Sequence, residues 1–314
     1  MGYISEHKIR NTHSHHLPEQ AALDFNLDKL ISNTYLQWMQ ITPGSTAESR
    51  SAYLEKVRYK SFFAWLQKSV QELYGISDPI TAGNWASISD QISKAHQNPA
   101  FYMDVLKNKC KYQNIIVDTY WNPGSDNGRP ELFTPSFRLD LFFLGYKKGL
   151  RNHDGVSLEE RFGEFPDNLP DYVEWVKTWI IRKKNAGCVA LKIALAYERD
   201  LHFEQVTQEQ AERVFRVKES DITQEDIRYF QNYLFWKICE IAAELSLPLQ
   251  CHTGMGQITN TNILQLNDVI KSNPDTKFVL LHCGFPWLDD LFPMVDGYQN
   301  VYPDLTWVPL LSYT

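Results

Sequence analysis

Short apolar segments alternating with helical ones predict an α/β chain of the (β/α) barrel kind. Six short apolar runs, at 114–118, 137–144, 188–195, 247–252, 277–282 and 301–305, and a short strand candidate at 7–13 read as seven strands. Strands separated by helices pair in parallel through crossover units. The later runs are apolar throughout rather than alternating, as in a parallel sheet covered on both faces. No G-x-G-x-x-G follows any run and no G-x-x-x-x-G-K-[ST] occurs, which weighs against a dinucleotide-binding open sheet and against a P-loop. The expected architecture is therefore (β/α)8-like, with seven strands visible.

The first run, HKIRNTH, ends in polar residues. Residues 19–110 then read mainly as helix. Tyr53, Leu54, Val57, Phe62, Phe63, Leu66, Val70 and Leu73 recur at amphipathic helical spacing, and Gly75 and Pro79 punctuate the end. A second helix is expected near 87–107. We read the chain as one domain, 1–314, with a helical insertion at about 19–110 after the first strand. Further helices are expected near 169–185, 207–217, 222–246, 260–272 and 287–296, the last behind Pro286.

The 314 residues are 43% hydrophobic and 22% charged, ordinary globular usage. The charge sum, 31 − 38 = −7, with no basic run, argues against non-specific nucleic-acid binding. No stretch of about 18 apolar residues is present to span a membrane. The opening MGYISEHKIRNTHSHH lacks the apolar core of a signal peptide, and Gly2 lacks the downstream Ser/Thr that myristoylation prefers. Five cysteines without a C-x-x-C pair point to reduced thiols and a cytoplasmic location.

Four of nine histidines fall at or just past strand ends: His13 and His15 after the first, His252 in LPLQCHTG, His282 in FVLLHCGF. In a barrel those ends converge on one mouth, where active sites lie. Residues two apart on a strand share a side, so His13 and His15 suit one metal ion, and neutral imidazoles bind zinc and related ions well. A lone His-x-His is commonly surface decoration, and a lone strand-end His a core residue. Four together at strand termini point to a metal site. His16 lies on the other side of the pleat and is read as a neighbour.

Lys192 interrupts the apolar run CVALKIAL. A buried unpaired ammonium is costly. A salt bridge to an acid such as Glu198 or Asp304, a lowered pKa, or conversion by CO₂ to a metal-bridging carbamate would each relieve it. Tyr197 and Arg199 follow this strand and are candidates for substrate contact, a guanidinium suiting a carboxylate; pairing of Arg199 with Glu198 and Asp200 is the structural alternative. Arg58 and Tyr59 on the insertion are candidates for a lid. Trp287 reads as packing, and Glu159-Glu160 and Asp289-Asp290 as helix-start residues.

The ordered set His13-x-His15, Lys192, His252 and His282 resembles the amidohydrolase superfamily of metal-dependent TIM-barrel enzymes. The nearer likeness is its amidohydrolase-2 branch, which includes aminocarboxymuconate-semialdehyde decarboxylase-like proteins. Residues 192–201 also resemble the barrel part of fungal and plant glutamine-synthetase-like fusions. The resemblance implies that His13 and His15 bind the more buried metal. A carboxylated Lys192 would bridge two ions, and His252 and His282 would hold the second. A mononuclear site of His13, His15 and His252, with His282 holding water or substrate, is an equal form. One or two divalent ions are implied, Zn²⁺ foremost, with Mn²⁺ or Fe²⁺ as variants. The implied activity is hydrolysis of an amide, lactone or related small polar molecule by metal-activated water. Non-oxidative decarboxylation on the same frame and a non-catalytic binding barrel are the alternatives.

The superfamily places an aspartate, usually the general base, at the end of an eighth strand. Only nine residues follow the seventh run, too few for a crossover and a strand. The reading therefore expects a chain short of its eighth unit, with Asp304 in NVYPDLTW as a partial substitute beside His282 in catalysis. It expects exposed edges on the first and last strands, open to a cleft or to a second copy, and exposure of Leu305, Trp307 and Leu310.

Overall fold

The computed structural model describes residues 7–36, 41–256 and 258–311. The opening residues 1–6, Gly2 among them, lie outside that range. Seven strands form one curled, wholly parallel sheet in chain order: β1 (Ile9–Ser14), β2 (Tyr112–Val117), β3 (Phe133–Arg138), β4 (Ala190–Ile193), β5 (Leu249–His252), β6 (Phe278–Leu281) and β7 (Val301–Asp304). Every residue of β4 and β5 is buried, as expected of strands covered on both faces. Arg138 pairs in register with Lys192, and Lys192 with Gln250. Three polar residues thus occupy one level of adjacent strands.

Helices cover the outside of the sheet. The helix Leu169–Asn185 shows why: Leu169, Tyr172, Val176 and Ile180, three or four apart, make one buried stripe. The Asn168 side chain caps its start on the Asp171 amide, and Arg182, Lys183 and Lys184 sit at its negative end. The helix Gln224–Glu244 begins with a reciprocal cap between Thr223 and Asp226.

The structure moves the third strand. The apolar run 137–144 is not one strand; β3 ends at Arg138, and Asp140–Leu144 form a tight 3₁₀ turn. Leu141, Phe142 and Phe143 are buried there without a strand, Phe142 stacked on Phe162 with ring centroids 4.8 Å apart. Burial rather than backbone conformation explains their apolar character.

Between β1 and β2 lies the helical insertion, with a core of its own that includes Leu27, Ile31, Tyr53, Val57, Trp85 and Ile92. The single helix expected across 53–73 is two, Ala47–Val57 and Ser61–Tyr74, broken where the Lys60 amide turns back to the Val57 carbonyl. The helix expected at 87–107 is likewise split into Trp85–His96 and Phe101–Asp104, with Pro99 in the break. Tyr59 is 85% exposed in the first break with Arg58 stacked on it, so this pair reaches outward rather than forming a lid.

No backbone pairing joins β1 and β7 among the described residues. A side-chain bond spans the gap instead: Thr12 Oγ1 donates to Asp304 Oδ2 at 2.5 Å, while Gln250 Nε2 on β5 reaches the Thr12 carbonyl at 2.9 Å. Leu305 (68%) and Leu310 (39%) are exposed as expected, but Trp307 is only 6% exposed. The insertion covers it, with Tyr35 at 4.4 Å and Phe62 at 6.3 Å between ring centroids. Removing a large apolar side chain from water stabilises the fold by about 1.5–3 kcal/mol.

Candidate metal centre

His13 and His15 project from the end of β1 with ring centroids 4.9 Å apart, edge to face. Asp118, immediately after β2, completes a cluster: one ligand atom from each of the three lies within 4.8 Å of the others. The Asp118 amide bonds the Ser14 carbonyl at 2.9 Å, which fixes the two strand ends side by side. The sequence reading passed over Asp118. Its signal was the acid that closes the apolar run NIIVD, at the same level of the barrel as the histidines.

The donor chemistry fits a divalent cation. Asp118 is fully buried, and neither carboxylate oxygen has a hydrogen-bond partner; nor does buried His13 Nδ1. A buried carboxylate without hydrogen bonds, its nearest guanidinium (Arg138) 3.8 Å away, is costly in a medium of low dielectric, and a bound cation reduces that cost. His15 Nδ1 lies 2.8 Å from the Asp118 carbonyl. A carbonyl only accepts, so Nδ1 carries the proton and Nε2 keeps its lone pair. Burial pushes the His13 pKa well below the ordinary imidazole range and lowers that of His15, whose side chain remains 33% exposed. Both rings are neutral at pH 7, the form a metal needs.

His252 and His282 make a second pair, ring centroids 4.5 Å apart, and His282 lies 6.0 Å from His13. His252 Nε2 donates to the Met255 carbonyl at 2.9 Å and His282 Nδ1 to the Thr306 carbonyl at 2.8 Å. Their remaining nitrogens face each other at 3.2 Å. With both protons committed to carbonyls, and with burial pushing His282 down to about 3 and His252 well below its usual range, this is a two-pronged acceptor. The backbone holds it at some cost: His282, Cys283 and Gly284 have φ of 63, 50 and 69°.

Lys192 is 1% exposed and its Nζ has no hydrogen-bond partner. Burial pushes its pKa down to about 8. Neither Glu198 nor Asp304 pairs with it. Glu198 instead accepts from His153 at 2.7 Å, and Asp304 is occupied by Thr12 and the Thr306 amide, 2.8 Å away. Tyr197 packs against His252 with ring centroids 4.6 Å apart and planes tilted by 52°. Arg199 turns outward, to Gln231, Asn232 and the His202 carbonyl, and Arg228 rather than Arg199 makes the close pair with Asp200. His16 packs on Phe133 at 5.5 Å, away from the cluster. Arg138, also passed over in the sequence, lies buried between Asp140, 2.5 Å from Nε, and Asp118, 3.8 Å from Nη1.

A parallel (β/α) barrel with a histidine–carboxylate cluster at the C-terminal strand ends is the class defined by this fold and site. Residues 160–313 match the amidohydrolase family model. The match covers just under half of the chain, β4 to β7 with the helices between them. A protein of Lactobacillus casei assigned as a metal-dependent hydrolase superposes with a TM-score of 0.66 at 18% identity, over 99% of this chain and 76% of its own. Uronate isomerase of Thermotoga maritima superposes with a TM-score of 0.69 at 16% identity, over 94% of this chain and 75% of its own. In sequence, uronate isomerase of Bacillus velezensis is 24% identical over 213 residues, 64% of this chain and 44% of its own. The chain spans less than half the length of the curated relatives it matches. No helix among the described residues is long and apolar enough to cross a membrane.

Proposed function

We propose that the protein is a metal-dependent hydrolase acting on an amide, lactone or related small polar substrate. The observation that carries this reading is the convergence of His13, His15 and the Asp118 carboxylate, which makes no hydrogen bond among the described residues. These three residues would hold a divalent ion, zinc first among candidates, with His252 and His282 as the further donors. Such an ion, when bound, lowers the pKa of a water toward about 7 and so supplies hydroxide at neutral pH.

The chain's own groups divide the remaining work. With a single ion held by His13, His15 and Asp118, His252 Nδ1 and His282 Nε2 would be left to accept a substrate N–H or O–H and orient it. Lys192, its pKa lowered by burial to about 8, offers a neutral amine in roughly a tenth of molecules at pH 7 and about half at pH 8. A neutral amine is the form needed both to take a proton and to form a carbamate. Asp304 is committed to Thr12 and Thr306, so we assign it to closure of the barrel rather than to proton transfer.

The uronate isomerase likeness in both sequence and fold favours a second reading, metal-dependent isomerisation of a sugar acid. One experiment separates the two. The zinc-loaded protein is assayed against a lactone and amide panel and, in parallel, against D-glucuronate. Release of acid from the panel supports hydrolysis; conversion of the aldehyde to a ketone supports isomerisation. No bound metal after zinc titration, with no loss on His13→Ala, overturns both.

A further inference from the structure

We propose that Arg138 is the docking point for a carboxylate on the substrate. The inference rests on the reading of the mouth as an active site and adds the chemical class of what enters it. Arg138 ends β3 facing the barrel interior, in register with Lys192, and is 8% exposed. Only its Nε makes a hydrogen bond, to Asp140 at 2.5 Å. Nη1 has the Asp118 carboxylate at 3.8 Å, beyond hydrogen-bonding distance, and Nη2 makes neither a hydrogen bond nor an ion pair among the described residues. A guanidinium carries five N–H donors in a rigid fork. Here Nε is used and the two terminal nitrogens, with four N–H, are not.

A nine-tenths buried cation whose terminal nitrogens keep little water and make no hydrogen bond is better served by a ligand that completes the fork. Asp140 is engaged on both sides, its second oxygen accepting the Ala194 amide at 2.6 Å, so it cannot turn to serve the fork. Tyr120 covers the guanidinium at 5.7 Å and is itself 40% exposed, so the fork lies beneath a partly open aromatic wall. Tyr120 also lies 5.7 Å from His15, which places the fork beside the metal cluster. A planar, two-oxygen anion matches a planar, two-nitrogen fork. A divalent ion in the cluster adds positive charge to the same mouth.

The test measures binding of two matched pairs, D-glucuronate against D-glucose and benzoate against benzamide, by calorimetry on metal-free and zinc-loaded protein. Inorganic phosphate is included as a competing anion. We expect at least one carboxylate to bind ten-fold or more tightly than its neutral partner in the metal-free protein, where no ion can account for the preference. Arg138→Lys keeps a charge for Asp140 but loses the fork, and should weaken that carboxylate about ten-fold. Arg138→Met with Asp140→Asn removes both members of the buried pair and should abolish the preference. Retention of the preference in the double variant, or its absence from the wild type, overturns the inference. Equal or stronger binding of phosphate overturns its assignment to a carboxylate. Zinc content of each protein is read separately: zinc bound without a carboxylate preference leaves the hydrolase reading standing, and a preference without zinc leaves only this inference.

Discussion

Thr12 on β1 donates a 2.5 Å hydrogen bond to Asp304 on β7, the two strands at opposite ends of the sheet. The sheet is therefore curled far enough for its ends to touch through side chains although their backbones do not pair. Asp304 is 4% exposed and also accepts the Thr306 amide. Asp304→Ala should destabilise the fold by about 1–3 kcal/mol, the usual cost of stranding buried donors. Zinc content should not change. Loss of zinc in this variant, measured by elemental analysis, would restore Asp304 as a ligand.

Asp118 gives the opposite pattern. Its buried carboxylate, without a hydrogen bond and only 3.8 Å from Arg138 Nη1, costs the metal-free fold desolvation that an amide does not. Asp118→Asn should leave the thermal midpoint of the metal-free protein unchanged or raised. It should remove most of the rise in midpoint that zinc gives the wild type, since that rise follows ligand concentration over Kd. Thermal scans with and without zinc check both halves. A lowered metal-free midpoint with an intact zinc response would make Asp118 structural.

Much of this was legible in the sequence, because periodicity and residue class report burial. Seven strands, the helix at 169–185 and the strand-end histidines follow from apolar spacing and from where polar residues interrupt it. The run 137–144 misled because a buried turn and a buried strand are equally apolar. Asp118 and Arg138 escaped because one acid at a strand end, and one Arg two residues before another acid, read as ordinary polar ends until the sheet sets β2, β3 and β4 side by side. Trp307 escaped because its cover, Tyr35 and Phe62, comes from the insertion hundreds of residues earlier in the chain.

Lys192 should leave a signature in the pH dependence of metal-free stability. Its pKa is lowered by burial from 10.5 to about 8. Between those values the unfolded chain binds more protons than the folded one, so stability rises with pH across that window. Below about pH 8 the folded protein bears the full penalty, on the order of 3 kcal/mol. Lys192→Met should be more stable than the wild type at pH 7, with the difference shrinking toward pH 10. Chemical denaturation at a series of pH values measures it. A difference that does not vary with pH would show that the amine is not forced toward its neutral form.

Thr253 joins the loops that carry the two facing imidazoles. It is fully buried; its hydroxyl donates to the Leu281 carbonyl at 2.6 Å and accepts the Gly284 amide at 3.0 Å. His252 precedes it, and His282 lies between its two partners. Thr253→Val keeps the shape and deletes both bonds. It should cost about 1–3 kcal/mol and free the left-handed segment at 282–284 to relax. The 3.2 Å approach of His252 Nδ1 to His282 Nε2 would then open. We expect weaker zinc binding at sites that use this pair, with Thr253→Ser restoring both stability and affinity. Nitrogen-15 NMR of the imidazoles follows the rings directly. Unchanged histidine shifts in Thr253→Val, despite lost stability, would show that the hydroxyl supports the loops without setting the rings.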